Sequence, residues 1–289
     1  MSATTSKPTD HHKEYVLGTN EAEAARLGLQ HQLWSAFAHE TWELAGIGPG
    51  STVLDVGCGP GFGSFDLARL VGTTGMVHAV DESAAYIERL RAEAERRGIR
   101  NITAHVGDVQ QLEKLPIKAG SIDAAFERWV MCFVADPEAV VRGVSGLLRV
   151  GGVFAVNDYF NYESMTLAPR EPAFSRVIAA VGKSWRDRGG DPDVVGRLPG
   201  LLAKHGLKVE DLSVAQRIAR TPAWGAGSSA TMWAWPDSFF RLFVPSLVEM
   251  GYLTARDQEE FLEMWERVTR DAGIFMALPP VWRVVGMKK

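Results

Sequence analysis

The residues best suited to chemistry gather around one glycine-rich stretch, VLDVGCGPGFG, from Val53 to Gly63. Gly57, Gly59, Gly61 and Gly63 stand at alternate positions between STVLDVG, which reads as a buried strand, and Gly63 to Val71, which reads as a helix. Glycine there lets the backbone turn sharply and lets a ligand approach the main chain, and four exceed what a turn needs. In an open α/β sheet such a ligand lies outside the carboxyl end of the first strand. Two phosphate-binding patterns fail. A dinucleotide fingerprint needs its third glycine three residues after the second, and the two frames find Phe62 and Ser64 there. The Lys-Ser/Thr pair of a phosphate loop is also absent. Asp55, two residues before the first glycine, suits a cationic ligand better than a pyrophosphate.

More acids end the following strands. Asp81 closes MVHAVD, with Glu82 and Ser83 next, and a carboxylate at that tip can accept from both hydroxyls of a ribose. Asp108 follows NITAHV, between Gly107 and Val109. SIDAAFE and GGVFAVND read as the fourth and fifth strands, LKVEDLSVAQ as a sixth and PPVWRVVGM as the last. Helices fall between them. Ser83 to Arg97 ends at Gly98, Pro137 opens a helix to about Arg149, and 171–205 is helical with a break at Gly189 and Gly190. Strands alternating with helices predict one mostly parallel, seven-stranded sheet flanked by helices. Ahead of it, Glu21 to Leu44 has an apolar face at helical spacing. The expected organisation is a polar tail over 1–14, a helical cap over 15–50, a core over 51–216, a Trp-rich helical insert over 217–278 and the last strand over 279–289.

On VLDVGCGPG, VHAVDES, HVGDVQQL and the block from Ser121 to Asp158 with its RVGG turn, the chain resembles the class I S-adenosylmethionine-dependent methyltransferases. It is similar to their ubiquinone/menaquinone C-methyltransferase-like branch of small-molecule enzymes, over roughly Val53 to Val214. The resemblance implies a Rossmann-like fold and S-adenosylmethionine as cofactor. It places the amino acid end of that cofactor at Gly57, Cys58 and Gly59, its ribose at Asp81, and its adenine at Gly107, Asp108 and Val109. Glu127 and Arg128 end the fourth strand, where the family's backbone passes the sulfonium; many relatives carry a small residue at Glu127, which leaves its role open. Tyr15 is a candidate lid residue over the carboxylate end.

Other constellations are weaker. The seven histidines show no zinc spacing with Cys58 or Cys132, and His31 and His39 read as packing or surface residues. No G-x-S-x-G elbow occurs. Glu127, Asn157 and Asp158 offer an alternative as oxygen ligands for magnesium, as in catechol-type O-methyltransferases. A non-catalytic module of the same fold is a second alternative, and a nicotinamide oxidoreductase is disfavoured by Phe62. The helix from Ser83 to Arg97 interleaves glutamates with arginines, as a solvated face does, and the net charge of −4 gives no nucleic-acid footprint. No apolar run is long enough to span a membrane. Two free thiols fit a reducing, cytoplasmic setting. The acceptor is then expected to be a small, largely apolar molecule. Asp158 and Tyr159, just past the fifth strand, are the candidates to orient or deprotonate it. Trp233 and Trp235, read as extended chain, would face one side and close over it, within a segment from Arg217 to Val244. The competing account of that insert is a homodimer contact.

Overall fold

The computed structural model describes residues 21–289, with side chains for all of these except 228–230. Tyr15 and the tail lie outside the described residues. Helix α1 (Glu21–Leu44) buries Trp34, Phe37, Ala38 and Trp42, so the apolar stripe read from the sequence is the face that docks. Next come β1 (Thr52–Val56), α2 (Phe62–Val71), β2 (Met76–Asp81), α3 (Ala84–Arg97), β3 (Ile102–Val106), β4 (Ile122–Arg128), α4 (Pro137–Leu147) and β5 (Leu148–Tyr159). Local signals fix the ends. Ser83 accepts the amide of Tyr86, Gly98 takes the left-handed C-cap of α3, and Asp136 caps α4 with Pro137 in its first turn.

The second half contains β6 (Thr166–Ala168), α5 (Pro172–Asp187), α6 (Leu198–Lys204), β7 (Leu207–Ala215), β8 (Ile218–Arg220), α7 (Ser228–Glu249), α8 (Ala255–Thr269), β9 (Phe275–Ala277) and β10 (Val281–Lys288). The main sheet has seven strands in the order β3-β2-β1-β4-β5-β10-β7. Only β10 runs antiparallel to its neighbours, β5 and β7. The chain leaves β1 toward β2 on one side and later returns to β4 on the other, so a crevice opens at the carboxyl ends of β1 and β4.

The insert departs from expectation. It carries a second sheet, β6-β9-β8, that ties the segment after β5 to the residues before β10. Trp233 and Trp235 are not in extended chain; both lie in α7. Two helical residues apart, they point in nearly opposite directions. Trp233 stacks on Trp265 of α8 at 4.9 Å between centroids, in the buried core. Trp235 alone turns toward the sheet and meets Trp129 and Trp34. Trp224 is partly exposed and gives its Nε1 proton to the carbonyl of Ile274. Helix α8 begins with the expected signal at Thr254 and Asp257, a complete capping box.

Candidate active site

A cavity of about 1040 Å³ opens over the carboxyl ends of β1, β2, β4 and β5, beneath α1 and α7. Gly57, Cys58, Gly59, Asp81, Glu82, Ser83, Asp108, Val109, Arg128 and Tyr159 all line it. Gly57 adopts φ +69, and a Cβ there would come within 2.4 Å of Val130. Glycine is therefore required both by conformation and by the close packing of the two loops. Asp81 fixes the loop from the opposite side: Oδ2 accepts the amide of Gly59 at 2.8 Å and Oδ1 that of Ser83 at 2.9 Å. Burial raises its pKa, partly offset by those amides. Glu82 is raised by burial and by the neighbouring Asp81 and Asp108. Burial would also raise Asp108, but donors from Gln110 and Gln111 outweigh it and hold the carboxylate low. The Cys58 thiol is pushed up, first by burial and then by Asp55 and Asp81, so it stays protonated.

Several predicted residues act behind the cavity rather than in it. Asp55 does not line it; its Oδ2 accepts from Ser64 Oγ at the start of α2, and burial lifts its pKa to about 6. Gly107 is also outside the lining, packed against Leu115. Glu127 and Asp158 are fully buried and hold the turn after β4. Glu127 Oε2 accepts the amides of Val130 and Met131 at 3.0 and 3.4 Å, and Asp158 Oδ2 that of Cys132 at 3.0 Å. Asp158 Oδ1 takes the amide of Tyr159. Asp158 is thus placed to shape a loop, not to meet an acceptor, which corrects its expected position in the pocket wall. Asn157 pairs with Thr41 of α1, on the other face of β5 from Asp158. The three oxygen donors of the magnesium alternative therefore do not converge. Among the described residues no group of three His, Cys, Asp or Glu side chains is placed to hold a metal ion.

Arg128 is largely enclosed. Its Nη2 lies 3.0 Å from His31 Nδ1, and His31 Nε2 lies 3.1 Å from Asp66. Burial lowers the guanidinium to about 10, against the support of Asp55, Asp66 and Glu127. It remains charged at neutral pH.

The other half of the cavity is aromatic. Trp129 stacks between Tyr159 (5.9 Å, 25°) and Trp235 (5.6 Å, 27°), and Trp185 closes on Tyr162 at 4.7 Å. Trp129 sits at φ +55, a conformation rare for a bulky residue, and it is held there by the hydrogen bond its backbone N–H donates to the Asn157 carbonyl and by the clamped residues that follow. Trp235 donates to Gln30 Oε1 at 2.8 Å, which joins α7 to α1 across the cavity. Sequence reading missed Trp129, Tyr162, Trp185 and Gln30. Trp129 alone carried a signal, directly after the strand-end pair Glu127 and Arg128.

The donor set fits S-adenosylmethionine. Each Asp81 oxygen takes one backbone amide and retains acceptor capacity for a ribose hydroxyl, and the glycine loop offers main chain where a Cβ would intrude. Comparison with known proteins points the same way. Residues 47–181 match a family model described as a methyltransferase domain. The aklanonic acid methyltransferase DauC of Streptomyces sp. (strain C5) is 36% identical over 106 residues, covering 37% of this chain and 47% of that one. A ubiquinone/menaquinone biosynthesis C-methyltransferase of Cellvibrio japonicus is 27% identical, covering 61% of this chain and 72% of that one. Against the first three curated relatives the chain spans 33%, 47% and 33% of their length. In fold, a putative methyltransferase from Bacillus halodurans C-125 superposes with TM-score 0.58 at 17% identity, covering 86% of this chain and 97% of that one. Geranyl diphosphate C-methyltransferase from Streptomyces coelicolor A3(2) gives TM-score 0.53 at 16% identity, covering 98% and 88%. Residues 47–181 thus carry a methyltransferase domain, and the glycine loop, the strand-end acids and this sheet order set it in the fold of the class I S-adenosylmethionine-dependent methyltransferases.

Proposed function

We propose that the protein transfers a methyl group from S-adenosylmethionine to a small, largely apolar acceptor. The observation that carries this is the single cavity in which a polar half, built from the glycine loop, Asp81 and Asp108, runs into an aromatic half built from Trp129, Tyr159 and Trp235. Its volume of about 1040 Å³ is at the upper end of small-molecule sites, roughly 300–1,000 Å³. That leaves room for two ligands. Main-chain groups at Gly57, Cys58 and Gly59 hold the amino acid end of the cofactor, Asp81 the ribose, and Asp108 with Val109 the adenine. When bound, the cofactor supplies an electrophilic methyl on a sulfonium, which an acceptor lone pair takes as the sulfur loses its positive charge. The chain's contribution is to align two reactants and to exclude water, and positioning of that kind accelerates a bimolecular step strongly. Burial, with Tyr162 and Cys132 close by, keeps the Tyr159 phenol protonated, so it orients the acceptor rather than serving as a phenolate base. The relatives named as an aklanonic acid methyltransferase and as a ubiquinone/menaquinone biosynthesis C-methyltransferase support a small-molecule acceptor. Calorimetry with S-adenosylmethionine, S-adenosylhomocysteine and NAD tests the cofactor. Binding of NAD without binding of either sulfur compound would sink the proposal.

A further inference from the structure

The aromatic half of the cavity carries an asymmetry of charge. Three guanidinium groups line the cavity, and among the described residues one of them, Arg26, is ion-paired. Arg26 is buried and grips Glu23 through two contacts of 2.6 and 2.7 Å. Arg128 stands on the cofactor side, against His31 and near Asp55 and Asp66, with no ion pair among the described residues and with its Nη1 buried and unpartnered. Arg188 lies on the aromatic side. It stands one helical turn beyond Trp185, at the C-cap of α5, and its polar contact is a thioether, Met250 Sδ, at 2.8 Å from Nη2. A thioether is a weak acceptor and neutralises nothing. The neighbouring charges are engaged elsewhere: Asp187 with Lys183, and Arg186 with Glu163 and Asp193. Among the described residues Arg188 makes no ion pair.

Two hydroxyls share this half. Tyr159 and Tyr162 are 5% and 4% exposed, both line the cavity, and neither hydroxyl makes a hydrogen bond among the described residues. The acidic lining residues, Asp81, Glu82 and Asp108, all follow β2 or β3, on the cofactor side. The aromatic chamber is therefore walled by packed rings and carries two phenol groups and one cation without an ion pair, with no carboxylate lining it.

We infer that the acceptor is a planar, oxygen-bearing aromatic compound with a carboxylate, its rings between the aromatic walls of the cavity and its carboxylate on Arg188. The inference rests on the proposed methyltransferase function and names its acceptor class. A guanidinium is a planar fork that matches a carboxylate in a bidentate fashion, and an aromatic wall selects for flat ligands. A diphosphate would call for several clustered cations, and on the aromatic side Arg188 is, among the described residues, the one lining cation without an ion pair. The ring oxygens of such a ligand meet the phenol groups of Tyr159 and Tyr162.

The test is calorimetry on the full chain saturated with S-adenosylhomocysteine. The probes are 2-naphthoate, 2-naphthylmethanol, 2-naphthyl phosphate and 1-adamantanecarboxylate. The expected result is that 2-naphthoate binds at least ~10-fold more tightly than 2-naphthylmethanol, as a charge-assisted pair requires. It should also exceed the non-planar adamantane acid. Arg188→Gln should abolish the preference for naphthoate over the alcohol while the affinity for S-adenosylhomocysteine stays within about twofold of wild type. Equal binding of acid and alcohol by the wild-type chain overturns the inference without any variant. A preference surviving in Arg188→Gln, or 2-naphthyl phosphate binding better than 2-naphthoate, overturns it as well. If S-adenosylhomocysteine itself does not bind, the cofactor proposal beneath the inference is what fails.

Discussion

Glu127 and Asp158, at the ends of adjacent parallel strands, between them accept the amides of three consecutive residues, Val130, Met131 and Cys132. This pair of buried carboxyl groups fixes the turn that carries Trp129 into the cavity and packs Val130 against Gly57. The same burial makes the pair expensive to ionise. Glu127 is raised well above its ordinary range, first by burial and then by Asp158, and Asp158 is raised to about 7.

A pH dependence of stability follows. An unfolded aspartate titrates near 3.8, and folded Asp158 near 7, so between these values the folded chain keeps a proton that the unfolded chain has lost. The stabilisation is full below the lower value and is lost as pH rises through the upper one. Urea midpoints should therefore fall between about pH 4 and about pH 7, and Asp158→Asn should flatten that slope. A variant with an undiminished slope would show that Asp158 is not its source.

Asp81 ties the glycine loop to the proposed ribose position. Asp81→Ala removes charge-assisted hydrogen bonds worth about 1.5–3 kcal/mol, which corresponds to a loss of roughly 10- to 100-fold in affinity for S-adenosylhomocysteine. An unchanged dissociation constant removes Asp81 from the site.

Gly57 and Gly59 should respond differently to alanine. Both have positive φ, at a cost of about 1–2 kcal/mol for an L-residue. Only at Gly57 does the new methyl collide, with Val130, whereas nothing lies within 4 Å of the position at Gly59. Gly57→Ala should lower the melting temperature further than Gly59→Ala and displace the Trp129 turn. A changed tryptophan near-ultraviolet dichroism in Gly57→Ala alone is the expected sign; equal effects in the two variants count against the contact.

The two tryptophans of α7 separate stability from chemistry. Trp233→Ala opens a hole beside Trp265 and should cost about 3–5 kcal/mol of stability. Trp235→Ala removes a cavity wall and should weaken acceptor turnover with cofactor affinity preserved. If Trp235→Ala instead changes only the molecular mass seen by light scattering, the insert is an interface.

Turnover should not depend on added divalent metal, because Asn157 and Asp158 face opposite sides of β5 and cannot share an ion with Glu127. Rates measured with and without a chelator decide this; loss with chelator and recovery with magnesium would favour the catechol-type alternative.

The sequence made the frame legible because the frame is written in local signals. The stripe of Trp34, Phe37 and Trp42 marks α1, and the alternation of apolar runs with glycine and proline stops marks β1 to β5. The residues lining the polar half of the cavity were legible because a tight turn and a strand-end acid are short-range signals in the chain. The acceptor side was not. Strands β6, β8 and β9 are three residues each, too short for any period to register. Pro236 and Pro245 lie inside the 22-residue α7, against the usual helical pattern, and the one-residue spacing of Trp233 and Trp235, read as extended chain, put on one face two side chains that the helix turns apart. The role of Asp158 depends on where its oxygens point, and in the sequence a strand-end acid that clamps a loop looks the same as one that meets a ligand.

Strand β10 lies between β5 and β7, bonded to both. During synthesis β7 emerges about seventy residues earlier, yet it has no place in the sheet until β10 arrives. Until then β5 presents an open edge, the kind of surface at which nascent chains mispair. The order of assembly is thus set by the last strand. A protein shortened by those few residues should lose two strands rather than one, and should depend on chaperones far more than its small deletion suggests.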